Sequence, residues 1–158
     1  MSLDDVVVDT NVFVHAQNPA ESRCNDSVRF LRRLERRTTL LRVDGSFDME
    51  ESRSRSLIGS EYFAKLMPGS VGYAVLARLF SNARVIAVSL SVAPQMRRKV
   101  RELVATPRDR TFVIAAHNSD ERKLVSHDYK DFPPPRRRDI NRALDVEIID
   151  AGTGYSRL

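Results

Sequence analysis

The segment Asp5-Val6-Val7-Val8-Asp9 sets the first constraint on the fold: three successive β-branched residues with no polar alternation, closed by an acid. A strand with one wet face alternates polar and apolar side chains, so an unbroken run implies burial on both faces, as inside a parallel sheet. Further strands are predicted at Thr38 to Val43, Arg84 to Leu90, Lys123 to Ser126 and Val146 to Ile149. Between them lie stretches of helical period. From Cys24 to Arg37, Val28, Leu31 and Leu34 form one stripe with Phe30 at its edge, opposite Arg29, Arg32, Arg33 and Arg36. A helix capped by Ser54 or Ser56 is predicted to run to about Met67, where Pro68-Gly69 ends it, and another from Val71 to about Phe80. Pro94 to Val104 reads as a helix, and Thr106-Pro107 opens one that continues to about Asn118. Pro133-Pro134-Pro135 predicts an extended loop before a helix from Arg136 to Leu144.

Strands alternating with helices predict an α/β fold, a three-layer α/β/α sandwich around a mainly parallel sheet of four to five strands. With 158 residues, one domain is expected over residues 1–150, with 151–158 as a short C-terminal tail. Hydrophobic residues at 42% and charged residues at 30% argue against both disorder and membrane insertion. The longest apolar-rich run, Val85 to Ala93, is too short to span a bilayer. The single cysteine, Cys24, excludes an internal disulfide or a cysteine metal cluster and fits a reducing, cytoplasmic compartment. A net charge of +5 points towards a polyanionic partner.

In parallel α/β sheets the ligand site lies outside the carboxyl ends of the strands. Asp9 closes the first strand and Asp128 follows the strand ending at Ser126, so both belong at that edge. Asp109 stands in the first turn of its helix, on the stripe of Phe112, Val113 and Ala116. Glu61 shares a face with Leu57, Ile58 and Tyr62, where an unpaired acid is costly. Each has an ordinary alternative: Asp9 as a turn or cap, Asp109 as a helix N-terminal acid, Glu61 as an arginine partner, Asp128 as a loop acid. Convergence of several carboxylates on one edge calls for a hard cation with oxygen ligands.

The motifs around these acids carry a family resemblance. Val6-Val7-Val8-Asp9-Thr10-Asn11 resembles the opening signature of the PIN-domain nucleases, and Ile58-Gly59-Ser60-Glu61-Tyr62 the helix bearing that family's second acid. Asp109 to Ala116 is similar to the third motif, and Leu124-Val125-Ser126-His127-Asp128-Tyr129-Lys130-Asp131-Phe132 to the fourth. The four occur in the family's order and span most of the chain. The second acid is chosen by context over Asp44, Glu50 and Glu51, and residues 44–55 do not map onto the family and are expected to form a flap.

The resemblance implies a metal-dependent endoribonuclease in which Asp9, Glu61, Asp109 and Asp128 hold one or two Mg²⁺ or Mn²⁺ ions and serve catalysis. Thr10, Asn11 and Ser126 would orient the carboxylates or water. His127, alternating with Ser126 and Asp128, is expected at the surface. Arg108, Arg110, Arg136, Arg137 and Arg138 are candidates for phosphate contact, and the arginine face of the 24–37 helix would suit an anionic or acidic partner. Small stand-alone relatives are often toxins of toxin–antitoxin pairs, which implies an RNA substrate, an antitoxin protein and a homodimer, sought first on apolar residues of the 71–80 helix. The competing reading is a catalytically inert PIN-fold domain that binds RNA or protein. A haloacid-dehalogenase phosphatase is disfavoured because Asn11 stands where a second Asp is needed, and a receiver domain because Asp4-Asp5 precede the strand.

Overall fold

Buried along its whole length, β1 (Asp5–Val8) lies at the centre of the sheet, as its unbroken valine run requires. The computed structural model describes residues 2–158. After β1 come α1 (Thr10–Ala16), α2 (Cys24–Arg36), β2 (Leu40–Asp44), α3 (Leu57–Lys65), α4 (Val71–Ser81) and β3 (Val85–Val88). The remainder is α5 (Pro94–Leu103), α6 (Pro107–His117), β4 (Lys123–Val125), α7 (Pro134–Leu144), β5 (Glu147–Ile149) and α8 (Ala151–Arg157). The sheet order is β3-β2-β1-β4-β5 and every pair is parallel. Helices cover both faces, giving a three-layer α/β/α sandwich. On one side α2 packs with α1, α4 and α8; α6 lies across β1, β2 and β4 with α5 against it.

This order fixes where a ligand can sit. From β1 the chain moves outward through β2 to β3 and then returns to β4 on the other side, so the switch in direction falls between β1 and β4. The crevice at their carboxyl ends is the site such a topology creates. Register pairs Val8 with Val125, which sets the residues following each strand, Asp9 and Ser126, beside one another.

Several expectations change. The helix α1 follows β1 without a loop and buries Val12 and Phe13; at seven residues it is too short for its period to stand out in the sequence. The proline run does not make an extended loop. Pro133 occupies the cap position of α7 and Pro134 and Pro135 its first turn, where the missing N–H groups have no intrahelical partner to lose. Residues 151–157 of the expected tail form α8. Asp150 caps it by accepting from Thr153 N–H at 2.7 Å, and Gly154 lies so close to Phe30 that a Cβ there would stand 2.9 Å from the ring.

Residues 44–55 are tied to the body of the protein, unlike the expected flap. Phe47 stacks on Phe63 with centroids 5.6 Å apart and meets Phe80 edge-on, and Arg55 N–H closes the loop onto Ser46 O. Gly45 has φ +59°, and a Cβ there would lie 2.6 Å from Arg55 O, so the turn needs a glycine. On α4 the apolar residues Val75, Leu76 and Leu79 are buried; among the described residues, the large apolar side chains left exposed are Leu57 at 62% and Met67 at 56%. Among the described residues, no helix is long and apolar enough to cross a membrane.

Candidate metal centre

Asp9 is delivered by the end of β1, and its backbone N–H is held by Val125 O at 2.9 Å. It stands at the cap position of α1 yet makes no capping hydrogen bond with its side chain. The carboxylate turns into the crevice, where Oδ2 accepts from Ser126 Oγ at 2.7 Å and from Asn11 Nδ2 at 3.1 Å. Asn11 Oδ1 in turn accepts from His127 N–H, so the two strand ends are laced together through this amide. Asp9 thus holds the cap position of α1 without its carboxylate being spent on the cap. Burial raises its pKa to about 6, a rise countered by the Ser126 hydrogen bond and reinforced by repulsion from Asp109 and Glu61.

Asp109 does sit where a helix N-terminal acid is expected, with its N–H donating to the Thr106 hydroxyl at 3.3 Å. That position leaves the carboxylate unspent: Oδ2 is buried and has no hydrogen-bond partner. Asp128 follows β4, its N–H bound to Ser126 Oγ at 3.1 Å, and its Oδ1 accepts from Lys130 N–H and Asp131 N–H. This tight turn brings in an acid the sequence reading did not select. One ligand oxygen each from Asp109, Asp128 and Asp131 fall within 4.8 Å of one another. Burial and the Asp128 and Asp109 carboxylates raise the Asp131 pKa. The signal for Asp131 was its place before Phe132, whose buried ring holds the end of the turn against the core.

Glu61 approaches from α3. Ser56 and Asp44 start that helix: Ser56 Oγ accepts from Gly59 N–H, while Asp44 accepts from Leu57 N–H, Ile58 N–H and the Ser56 hydroxyl. Asp44 is thus consumed in capping. Tyr62, wholly buried, donates its hydroxyl to Val8 O and so docks α3 on the end of β1. Glu61 lies outside the Asp109–Asp128–Asp131 cluster but within electrostatic reach of Asp9. Arg108 bridges the two sides, with Nε 3.7 Å from both Glu61 Oε1 and Asp109 Oδ1. Beside it, Leu57, Ile58, Pro107, Thr111 and Phe112 line a recess of about 290 Å³.

The other candidates divide. Thr10 is buried, and its hydroxyl has no hydrogen-bond partner, so it orients no carboxylate here. Arg110 is occupied by the carbonyls of Val104 and Ala105. Arg137 donates to the carbonyls of Phe132, Ile148, Ser126 and Asp128 and stacks on Tyr129 at 4.1 Å, which makes it a clip for the β4 and β5 ends. Arg136 is half-buried and Arg138 exposed. Of these five arginines, Arg108 alone forms ion pairs with the acids.

His127 is buried, contrary to expectation. It does point away from Asp128, but α8 covers it: Nε2 accepts from Ala151 N–H at 3.0 Å, and the ring stacks on His15 at 5.1 Å. Burial, with His15 and Arg23 adding to it, lowers its pKa to about 4, so it is a neutral structural group.

The acids fit a hard divalent cation. An all-oxygen set of partly buried carboxylates, one with an orphaned buried oxygen, is costly without a counter-charge, and Arg108 supplies only a long and exposed one. Comparison of the chain with protein-family models, with curated proteins and with solved structures finds no match.

Proposed function

We propose that the protein is a metal-dependent endoribonuclease of the PIN type. The observation that carries this reading is the convergence of Asp109, Asp128 and Asp131 beside the β1–β4 switch point, with Asp109 Oδ2 buried and unpaired and Asp9, at the end of β1, near enough to Asp109 to be repelled by it. Asp9, Asp109, Asp128 and Asp131 would hold one or two Mg²⁺ or Mn²⁺ ions, with Glu61 facing them across the cleft. Bound there, such an ion lowers the pKa of a water nucleophile and offsets charge on the phosphodiester and the leaving oxygen.

The protein's own residues do the positioning. Ser126 and Asn11 hold Asp9 Oδ2, fixing the carboxylate plane and leaving Oδ1 for a ligand. The Asp128 turn fixes the spacing of Asp128 and Asp131 through two backbone N–H groups. Arg108, the exposed cation at the rim, is the residue placed to receive a substrate phosphate once the acids have another counter-charge.

The test is cleavage of labelled single-stranded RNA with Mg²⁺, Mn²⁺ or EDTA, beside Asp9→Asn and Asp128→Asn. Metal-dependent products absent from both variants support the reading; activity that survives both removes the site. The toxin role rests on the resemblance alone. Growth arrest on expression that disappears in Asp9→Asn would support it, and unimpaired growth would count against it.

A further inference from the structure

A second charged feature lies away from the acids. The outer face of α2 and the end of α8 enclose a groove of about 440 Å³ lined by Arg29, Arg32, Arg33, Arg36, Arg37 and Tyr155. Arg29 and Arg33 both rest on the Tyr155 ring, with guanidinium carbons 4.4 and 4.6 Å from its centroid. Arg32 pairs with Glu35, whereas among the described residues Arg29, Arg33, Arg36 and Arg37 have no acidic partner within ion-pair distance. The Nε of Arg33 is buried without a hydrogen-bond partner. Arg84 adds positive charge at the C-terminal end of α2, where it donates to the carbonyls of Leu34, Glu35 and Arg37.

Like charges gathered on one face repel, and a solvated surface relieves this by splaying the side chains. Here the tyrosine does the opposite, holding two guanidinium groups on the same ring and keeping them in register. Neighbours three and four residues apart on a helix have Cβ atoms roughly 5–6 Å apart, so the arginines form a row along α2. A row of unpaired, pre-ordered planar cations suits a polymer with one negative charge per repeat.

We propose that this groove binds the phosphodiester backbone of single-stranded RNA outside the cleavage site, which extends the nuclease reading and rests on it for the choice of RNA. A folded protein partner fits less well. Protein interfaces are centred on desolvated apolar anchors, and this groove offers only Val28 and the already covered Tyr155 between its arginines. The α5 face, with Arg97, Arg98 and Arg101, is also basic but has no aromatic residue to order it. It serves as the internal control for net charge.

The experiment measures binding of a fluorescein-labelled single-stranded uridine homopolymer in EDTA, as a function of salt, by fluorescence anisotropy. It compares the parent with Arg29→Gln/Arg36→Gln, whose positions are exposed, and with Arg97→Gln/Arg101→Gln. The α2 pair is expected to make the log–log salt dependence shallower by about 1.4, at about 0.7 per lost contact, while the α5 pair leaves it unchanged. Tyr155→Leu, which keeps every charge, is expected to weaken binding severalfold at an unchanged slope. Equal effects of the two arginine pairs would reduce the groove to net charge and overturn the proposal. So would an unchanged slope for the α2 pair, or tighter capture of an unstructured poly-glutamate than of the RNA. RNA cleavage by the parent is scored separately: a groove that binds in a protein that never cleaves upholds this site and removes the nuclease reading.

Discussion

The Tyr62 hydroxyl donates to the carbonyl oxygen of Val8, the last residue of β1, and so fixes α3 beside the strand whose next residue is Asp9. One buried hydrogen bond therefore sets the distance at which Glu61 faces the other acids. Tyr62→Phe is expected to keep the packing against Phe13 and to lose about 1–2 kcal/mol, because the Val8 carbonyl loses a buried donor. Urea unfolding measures this. An unchanged midpoint would show that the hydroxyl does not clamp α3.

Asp109 is buried, its Oδ2 has no hydrogen-bond partner, and its charge repels that of Asp9. In EDTA, Asp109→Asn is expected to stabilise the protein by about 1 kcal/mol by relieving repulsion with Asp9, while abolishing the rise in melting temperature that Mn²⁺ gives the parent. Calorimetry with and without Mn²⁺ reads both effects. A variant destabilised in EDTA, or one that still gains stability from Mn²⁺, contradicts the assignment.

Asp44 was one alternative for the second acid, and its contacts give it a different task. Asp44→Ala removes the acceptor for Leu57 N–H, Ile58 N–H and the Ser56 hydroxyl, and is expected to cost about 2 kcal/mol. Mn²⁺ affinity, measured by titration calorimetry well below the melting point, should stay within about twofold. Loss of metal binding from a fully folded variant would make Asp44 a ligand after all.

Acid stability has a contribution from the C-terminal helix. Arg157 binds Glu147 through both oxygens, at 2.7 and 2.8 Å, with Lys123 at 3.0 Å. The Arg157 hydrogen bonds chiefly, against partial burial and helped by Lys123, lower the Glu147 pKa from 4.5 to about 2. A folded pKa below the unfolded one stabilises above pH 4.5 and is lost as pH falls towards 2. Water screens this half-exposed network, so the contribution is about 1 kcal/mol. Glu147→Gln should lower stability at pH 7 by that amount and converge with the parent near pH 2. A constant offset between the two curves would assign the effect to packing.

The strands and most helices were legible because burial on both faces writes an unbroken apolar run and burial on one face writes a helical period. Val6 to Val8 and the stripe of Val28, Leu31 and Leu34 are examples. Chain order with parallel strands was enough to place Asp9 and Asp128 at one sheet edge, since the carboxyl ends of all parallel strands share a side. Elements shorter than two turns were not legible. The seven residues of α1 and of α8 hold too little period to separate from a loop, and the prolines that open α7 read as a break because proline opens a helix as readily as it ends one.

Tertiary structure alone decided which polar groups were already spent. Asp44 and Glu61 look alike as acids near α3, and Arg108 and Arg137 look alike as cations flanking the third and fourth motifs. Backbone N–H groups consume Asp44 and backbone carbonyls consume Arg137, while Arg108 and Glu61 remain at the rim. The same holds for His127, whose alternation correctly turned it from Asp128 but could not reveal that α8 would close over it. Residue type and spacing determine what a side chain offers; only the packed chain determines whether a buried partner has already taken it, because those partners come from segments distant in sequence.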